Sequence, residues 1–395
     1  MSTTARNSRP AKSATEADPV SQVETLPPIQ PLDMAAERAE LGSALDDAVL
    51  SVLHSGQYVL GPEVGSFETN FAASQGVTHG IGVASGTDAL VLGLRALGVS
   101  AGDGVLTSPF TFFASAGAIA WIGAKPVFCD VNPTTGLIDP EAARAALVPG
   151  VKGLLPVHLY GQLVDMNGFR ALADEKGLFL FEDAAQAHGA VRDGKLAGEL
   201  GDVAAFSFYP TKNLGCAGDG GALVTSSADL ADRLRQVRDH GSPTKYTHTS
   251  VGTNSRLAAI QAAVLNVKLP HLGRWTARRQ QIAGIYDGKF AGSPSVAPLV
   301  RAPGSSPVYH QYTLRVLSGD RDGLLAHLTG QNIRAAVHYP APVHLQPVAR
   351  EWGFSEGNFP HAEALAKQVI CLPVHPFLSD ADVQRVTTAV LEWAS

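Results

Sequence analysis

Short β-like runs alternate with helical runs from about residue 79 onward, and this alternation constrains the fold more than any other feature. HGIGVA precedes an Ala- and Leu-rich stretch, GVLTSP precedes FFASAGAIAWIG, and the apolar runs KPVFCD, KGLLPVHL and LFLFEDAA follow. Strands separated by helices form βαβ units, which build a mostly parallel sheet with helices on both faces. We therefore predict an α/β fold that binds its ligand in the loops at the carboxyl ends of the strands.

Two domains are expected from the length of the chain and from a change in its pattern. The 395 residues are 45% hydrophobic, enough to bury one large core and a smaller one. The alternation weakens after about residue 250, and a Pro-rich stretch, VAPLVRAPGSSPV, begins near residue 295. We predict a disordered tail over residues 1–28, a large α/β domain over 29–294 and a small α+β domain over 295–395.

Charge and cysteine content narrow the class of ligand. The formal net charge of -6 and the lack of a long Lys or Arg run argue against nucleic acid or an anionic membrane as a partner. The three cysteines, Cys129, Cys216 and Cys371, form no CxxC pair, so we expect neither a disulfide framework nor a metal site. No apolar stretch near the N-terminus resembles a signal peptide or a membrane span. We expect a cytoplasmic protein that acts on a small molecule.

The stretch ASGTDAL, residues 84–90, ends an apolar strand and begins a helix. Gly86 lets the backbone approach a ligand closely, and Thr87 offers a hydroxyl. The first free N–H groups of the helix point toward the same place, which favours an anion. Capping of the helix by Ser85 and its neighbours explains the same residues equally well, so this stretch alone leaves both interpretations open.

Two ionisable side chains stand at the ends of successive apolar runs. The run FLFED ends at Asp183, and a carboxylate at the edge of a buried strand needs a partner. That partner is either a basic side chain or the protonated ring nitrogen of a cofactor. Lys212 ends the next run, FSFYPTK, before a glycine-rich loop. A lysine shielded from water has a lowered pKa and can form an imine with an aldehyde, whereas a lysine in solvent has no such role.

Together these features describe a pocket for pyridoxal 5'-phosphate. The stretch at Gly86 suits a phosphate, Asp183 suits a pyridinium nitrogen, and Lys212 suits an aldehyde. Ser207 is a further donor to the phosphate, and SPFTFFASAG supplies phenylalanines, including Phe112, that can lie flat against the ring. Each feature alone has a structural explanation, but their order on successive strand ends favours the cofactor.

Motifs along most of the chain resemble those of the DegT/DnrJ/EryC1/StrS family of pyridoxal-phosphate sugar aminotransferases. The likeness runs from about Pro31 to the C-terminus and includes SGQYVLGPEV, ASGTDAL, TFFASAGAI, EDAAQAHGA, FSFYPTKNLG, GTNSRLAAIQAAVL, YHQYTLR and LPVHP. It implies the fold of type I aminotransferases, with a mostly parallel sheet of the seven-stranded type sandwiched by helices and a smaller C-terminal α+β domain. It also implies a homodimer in which each pocket is completed across the interface.

The resemblance assigns roles at the cofactor. Lys212 would link covalently to it and move the substrate proton, Asp183 would bind the ring nitrogen, and Gln186 would contact the ring hydroxyl. Phe112 would stack on the ring. The phosphate would be held by Gly86, Thr87 and Ser207.

Five further residues lie in the family's motifs outside this set. Asn254, in GTNSR, would reach the phosphate of the neighbouring subunit, or would cap a helix starting near Arg256. The candidates for contact with the nucleotide diphosphate or the donor carboxylates, for which structural roles are equally open, are Arg256, His310, Tyr312 and His344.

The resemblance implies transfer of an amino group from L-glutamate to a nucleotide-linked ketosugar. The GDGG that follows the lysine is similar to members that aminate C-3 of a (deoxy)sugar. Members that act at C-4 more often carry a His before the proline and a Glu in the glycine loop. Amination of a C-4 ketosugar or a keto-cyclitol stays open, and a non-enzymatic regulatory or binding protein is the alternative from another class. Intact Lys212, Asp183 and Gln186 argue against that last alternative.

Overall fold

A computed structural model describes residues 27–395, so the tail predicted over residues 1–28 lies outside the described residues except for its last two positions. The β-strands are β1 (His79–Val83), β2 (Gly104–Thr107), β3 (Lys125–Phe128), β4 (Val151–Leu155), β5 (Phe179–Asp183), β6 (Val191–Arg192), β7 (Lys195–Leu196), β8 (Val203–Ser207), β9 (Gly221–Thr225), β10 (Val296–Pro298), β11 (Ser305–Ser306), β12 (Tyr312–Val316) and β13 (Val369–Leu372). The α-helices are α1 (Met34–Leu41), α2 (Ser43–Ser55), α3 (Pro62–Ser74), α4 (Gly86–Ala96), α5 (Ala114–Trp121), α6 (Pro140–Ala146), α7 (Met166–Lys176), α8 (Ala228–Arg238), α9 (Ala259–Lys268), α10 (Leu272–Phe290), α11 (Arg321–Gly330), α12 (Pro360–Gln368) and α13 (Asp380–Ala394).

The main sheet has seven strands in the order β1-β9-β8-β5-β4-β2-β3. Strand β2 is parallel to β3 and β4, and β5 is parallel to β4 and β8. Within this sheet, β9 runs antiparallel to its neighbours β1 and β8. The prediction of a mostly parallel sheet is therefore confirmed.

Strand β8 shows why this sheet needs helices on both faces. Ala204 and Phe206 contribute to the core that α3 and α9 cover, while Val203 and Ala205 contribute to the core that α4 and α8 cover. All five residues of β8 are buried, as expected for a central strand with two covered faces. The helices thus sandwich the sheet, in agreement with the α/β prediction.

Aromatic packing fixes the sheet against α3. The ring of Phe71 lies 5.0 Å from that of Phe206 and 5.1 Å from that of Phe208, both edge-on. These side chains are fully buried. Burial of one phenylalanine contributes about 1.5–3 kcal/mol, and edge-to-face pairing adds a smaller amount. This packing holds the strand that leads into the loop of Lys212.

The C-terminal part contains a second, antiparallel sheet in the order β10-β12-β13. Its core includes Leu314 and Ile370 from the sheet, and Tyr286 and Phe290 from α10. Ile29, near the start of the described chain, lies in the same core. The smaller α+β part is as predicted, while the exact division at residue 295 stays a prediction.

The carboxyl ends of β1, β2, β5 and β8 lie at the same edge of the main sheet, because these strands run in one direction. The last residues of these strands and the segments that follow them carry the residues predicted to bind the cofactor, except Asn254, which lies between α8 and α9. Helices long and apolar enough to cross a membrane do not occur between residues 27 and 395.

Candidate active site

A cavity of about 820 Å³ opens at the carboxyl edge of the main sheet. Its wall contains loops from successive strand ends, as a βαβ fold requires. The structure brings most of the predicted cofactor residues into this wall, together with one predicted substrate residue. They are Gly86, Thr87, Phe112, Asp183, Gln186, Ser207, Lys212 and His310.

Asp183 ends β5 with its side chain almost entirely buried, at 5% exposure. Ser115, in the first turn of α5, donates to its Oδ2 at 2.7 Å, and the backbone N–H of Ala185 donates to its Oδ1 at 3.2 Å. Thr111 Oγ1 lies 2.9 Å from Ser115 Oγ. Burial raises the pKa of Asp183, although these hydrogen bonds and the charge of Lys212 oppose the shift. A cation in the cavity would therefore stabilise the ionised form.

Lys212 follows β8, in the loop that precedes β9, and its side chain lines the cavity. Burial lowers the pKa of Lys212 from 10.5 to about 8, while the negative charge of Asp183 acts in the opposite direction. Roughly a tenth of such an amine is neutral, and so nucleophilic, at pH 7. Lys212 is half-buried in the single chain, and the catalytic role of its amine stays a prediction.

The first turn of α4 forms a narrow cradle beside Ser207. A Cβ on Gly86 would lie 2.6 Å from the Cβ of Ser207, so only glycine fits here. Ser85 caps the helix by accepting a hydrogen bond from the N–H of Asp88 at 3.1 Å. Capping and anion binding are therefore compatible, because Ser85 satisfies one N–H group and leaves the others of the first turn at the cavity wall.

Gln186 is held in place from two sides. Its Oε1 accepts from the N–H of Tyr160 at 2.6 Å, and its Nε2 donates to the hydroxyl of Tyr339 at 3.3 Å. The ring of Phe112 lies 6.0 Å from that of Tyr339, and Phe112 is 57% exposed. Sequence reasoning missed Tyr339, since the motif VHYP carries no recognisable signal for a cavity residue.

Three predicted substrate residues do not line this cavity. Arg256 instead forms an ion pair with Asp239 at 3.0 Å. The hydroxyl of Tyr312 donates to Asp287 at 2.8 Å and lines a separate cavity of about 40 Å³. His344 is buried, with its Nε2 3.0 Å from Glu363. The cavity wall of a single chain therefore includes His310 but lacks Arg256, Tyr312 and His344.

The capping interpretation of Asn254 is wrong. Helix α9 begins at Ala259 and not near Arg256, and no side chain between residues 27 and 395 caps it. Asn254 Oδ1 accepts instead from Nε of Arg256 at 3.1 Å. The N-cap position of α9 is Ala258, so Asn254 lies four residues before the position from which a side chain reaches the free N–H groups of the helix. Its contact with a neighbouring subunit stays a prediction.

Residues 40–391 match the sequence profile of the DegT/DnrJ/EryC1/StrS aminotransferase family. The chain belongs to this family. It is similar to the dTDP-3-amino-3,4,6-trideoxy-alpha-D-glucose transaminase of Streptomyces venezuelae, with 46% identity over 95% of this chain and 98% of the relative. It is also similar to a pleiotropic regulatory protein of Geobacillus stearothermophilus, with 44% identity over 92% and 97% of the two chains.

The crystal structure of S. venezuelae DesV in complex with a ketimine intermediate is a close structural match. The TM-score is 0.91 with 46% identity, and the match covers 94% of this chain and 99% of that one. The predicted family and fold class are therefore confirmed. The protein is an aminotransferase. Some of its relatives are named as aminotransferases of dTDP- or UDP-linked sugars, and some solved structures of similar proteins are described as containing PMP.

Proposed function

We propose that this aminotransferase uses pyridoxal 5'-phosphate to move an amino group from L-glutamate to C-3 of a nucleotide-linked deoxysugar. The observation that carries the proposal is the presence of Asp183 and Lys212 in the wall of one cavity. Burial shifts the pKa of each group toward its neutral form. Such paired shifts in one cleft are typical of catalytic groups.

The residues of the cavity fit this cofactor at three points. The glycine cradle at Gly86, beside Thr87 and Ser207, suits the phosphate, which the N-terminus of α4 would also stabilise. Ser115 and Ala185 donate to Asp183, but no cationic side chain in the described part of the chain is bonded to it, which suits a protonated ring nitrogen. Gln186 and Phe112 also line the cavity, which supports the proposal that they contact the ring hydroxyl and the ring face.

When bound, pyridoxal phosphate supplies an electron sink that lets the donor lose its α-proton. Asp183 keeps the ring nitrogen protonated, because an ionised carboxylate stabilises a cation within hydrogen-bond distance. Nζ of Lys212 removes the α-proton of the donor and later returns a proton to the sugar carbon that receives the amino group. A pKa of about 8 suits both tasks, since neither form of the amine is rare near neutral pH.

Two findings support amination at C-3. GDGG follows the lysine segment, a pattern similar to members that aminate this position. The S. venezuelae relative, 46% identical, is named as the transaminase of a dTDP-3-amino sugar. Amination at C-4 or of a keto-cyclitol would be revealed by the experiment below.

A homodimer is part of the proposal. Phe112 and Tyr209 line the cavity although they are 57% and 52% exposed, so a second subunit could cover them. Asn254 would then approach the phosphate of the other subunit. Mixing inactive Lys212→Ala and Asn254→Ala subunits tests this, because shared sites would regain activity in hybrid dimers. A monomer in solution, or no regain on mixing, would contradict it.

The decisive experiment follows the two half-reactions separately. The purified pyridoxal form is mixed with 3-amino or 4-amino nucleotide sugars, or with an aminocyclitol, and conversion to the pyridoxamine form is followed by absorbance. We expect rapid conversion with the 3-amino sugar and with L-glutamate. Absence of any cofactor band would favour a non-enzymatic role, such as the name of the G. stearothermophilus relative suggests for that protein.

A further inference from the structure

Arg279, on α10, is a buried cation in the cavity wall. It is 4% exposed and lines the same cavity as Asp183 and Lys212. Its Nη1 donates to the backbone carbonyls of Val374 at 2.5 Å and Tyr309 at 3.3 Å. No described residue accepts a hydrogen bond from its Nε or Nη2, and no carboxylate between residues 27 and 395 forms an ion pair with it.

A buried charge without a counter-ion destabilises a protein by several kcal/mol, so an unpaired guanidinium requires an explanation. Burial lowers the pKa of Arg279 to about 10, and the charge of Glu37 opposes this shift only in part. The group therefore stays positive at neutral pH. Glu37 itself forms an ion pair with Lys268 and is not in the cavity wall.

The histidines beside Arg279 do not supply or balance charge. Burial, together with the positive charge of Arg279, lowers the pKa of His375 to about 4. Burial and the charges of Lys212 and Arg279 lower the pKa of His310 well below its ordinary value. Both imidazoles are neutral at pH 7. Among the described residues of this wall, Lys212 is the one lysine and Arg279 the one arginine, so Arg279 is left for a substrate once a cofactor engages Asp183 and Lys212.

The free edge of the guanidinium has the geometry of a carboxylate site. The two carbonyls bonded to Nη1 fix the plane of the group. Nε and Nη2 lie on its other side and form the pair of parallel donors that binds a carboxylate through both oxygens. We propose that Arg279 binds a carboxylate of the amino-acid donor. This inference rests on the proposed function, since it assigns a residue to the donor of that reaction.

A small dicarboxylic amino acid fits this position better than a nucleotide diphosphate. Arg279 is enclosed by protein, and a compact donor can enter the cavity completely. A diphosphate carries a nucleoside on one side and a sugar on the other, and so needs an open surface. Arg256, the arginine that the sequence suggested for this task, is already paired with Asp239.

The competing explanation is that Arg279 only anchors α10 to the C-terminal segment. Arg278, the next residue of α10, provides a matched control, because its Nη2 donates to the carbonyl of Leu378 and to Asp380, both at 2.7 Å. It does not line the cavity. Substitution of Arg278 removes an anchor alone, while substitution of Arg279 removes an anchor and the proposed donor site.

The test compares Arg279→Gln, Arg279→Lys and Arg278→Gln holoenzymes with the wild type. Binding of glutarate, a dicarboxylate that cannot react, is measured by calorimetry. Binding of thymidine diphosphate and uridine diphosphate is measured in the same way. The half-reactions with L-glutamate, L-alanine and an aminosugar nucleotide are followed by absorbance, and thermal unfolding monitors the fold.

We expect Arg279→Gln to weaken glutarate binding, and to raise the L-glutamate concentration for half-maximal rate, by roughly 10- to 100-fold. Arg279→Lys should lose less, because it keeps the charge without the paired donors. Arg278→Gln should bind glutarate and react with L-glutamate like the wild type. In every variant, the affinity for the diphosphates and the rate of the aminosugar half-reaction should stay within about threefold of the wild-type values. A loss shared by L-alanine would indicate contact with the α-carboxylate, and a loss confined to L-glutamate contact with the side-chain carboxylate.

Three results would overturn the inference. One is a loss of diphosphate binding with glutarate binding intact. Another is an Arg279→Gln variant that binds glutarate and the diphosphates like the wild type and differs only in a lower unfolding temperature. The third result is relevant if Arg279→Gln does not fold. In that case, wild-type affinity of Arg279→Lys for glutarate would overturn the inference. Failure of the proposed function is distinguishable, because the wild type itself would then not react with L-glutamate or with the aminosugar.

Discussion

Two neighbouring carboxylates at the end of β5 differ in how completely their oxygens are satisfied. Glu182 is fully buried and accepts from the N–H groups of Gly198 at 2.9 Å and Gly201 at 2.7 Å, while His158 lies 2.7 Å away. Among residues 27–395, the side chain of Asp183 accepts from Ser115 and Ala185 only, and it lines the large cavity.

The difference shows how a carboxylate that stabilises the fold can be separated from one that is available to a ligand. The oxygens of Glu182 are used within the fold, where they fix the loop between β7 and β8. Asp183 keeps acceptor capacity on the side that faces the cavity, and burial raises its pKa. A buried group that the protein leaves incompletely paired is available to a ligand.

The largest effect is expected on the cavity side. Lys212→Ala should lower turnover by roughly 10³-fold or more, because the proton-transfer group and the covalent link are lost together. Stopped-flow absorbance would show no conversion with L-glutamate. Lys195, an exposed lysine paired with Glu199, gives the control, and Lys195→Ala should retain full activity. Retained turnover in Lys212→Ala would contradict the assignment.

Replacing each carboxylate by the corresponding neutral amide should separate an effect on stability from an effect on catalysis. Glu182→Gln should lower the free energy of unfolding of the apoprotein by about 3–5 kcal/mol, because it breaks a saturated buried network. Asp183→Asn should change this free energy by less than about 1 kcal/mol and lower kcat/KM by roughly 100-fold. Urea unfolding and steady-state kinetics measure the two quantities. A lower free energy of unfolding for Asp183→Asn than for Glu182→Gln would contradict the comparison.

The stability of the apoprotein should depend on pH through Lys212. Its pKa is about 8 in the folded state and near 10.5 in the unfolded chain, so the unfolded state binds more protons between these values. Stability therefore rises with pH from about 8 to 10.5, by an amount on the order of 3 kcal/mol. The free energy of unfolding of the wild type minus that of Lys212→Met, measured across this pH range, isolates the contribution of Lys212. A difference that is flat or falls with pH would show that the amine is not desolvated.

The smallest effect concerns the hydroxyl pair behind Asp183. Ser115 donates to Asp183, so its oxygen is free to accept from Thr111. Ser115→Ala should raise the pKa of Asp183 and lower kcat/KM about 10-fold, and Thr111→Val should lower it about threefold. Ser115→Thr keeps the hydroxyl and serves as control. The pH midpoint of the cofactor absorbance should shift more in Ser115→Ala than in Thr111→Val. A larger shift in Thr111→Val than in Ser115→Ala would contradict the proposed order of donors.

Several features could be predicted from the sequence because they depend on local patterns. Alternating apolar runs indicated the parallel sheet, and the strand ends placed Asp183, Lys212 and the glycine stretch at Gly86 at one edge. In a parallel sheet these ends must meet, so no distant contact had to be known. Family motifs extended the same placement to Phe112 and Gln186.

Tertiary structure alone decided which residues line the cavity and which residues hold those lining side chains in place. Ser115 and Asp183 are 68 residues apart, and Arg279 and Val374 are 95 apart. Nothing in the local sequence distinguishes Arg279 from Arg256, since the face that a helix turns toward a cavity depends on how it packs against elements far away in the chain. Burial shifts the pKa of each of these groups and determines which partners it can reach, and burial is a property of the whole fold.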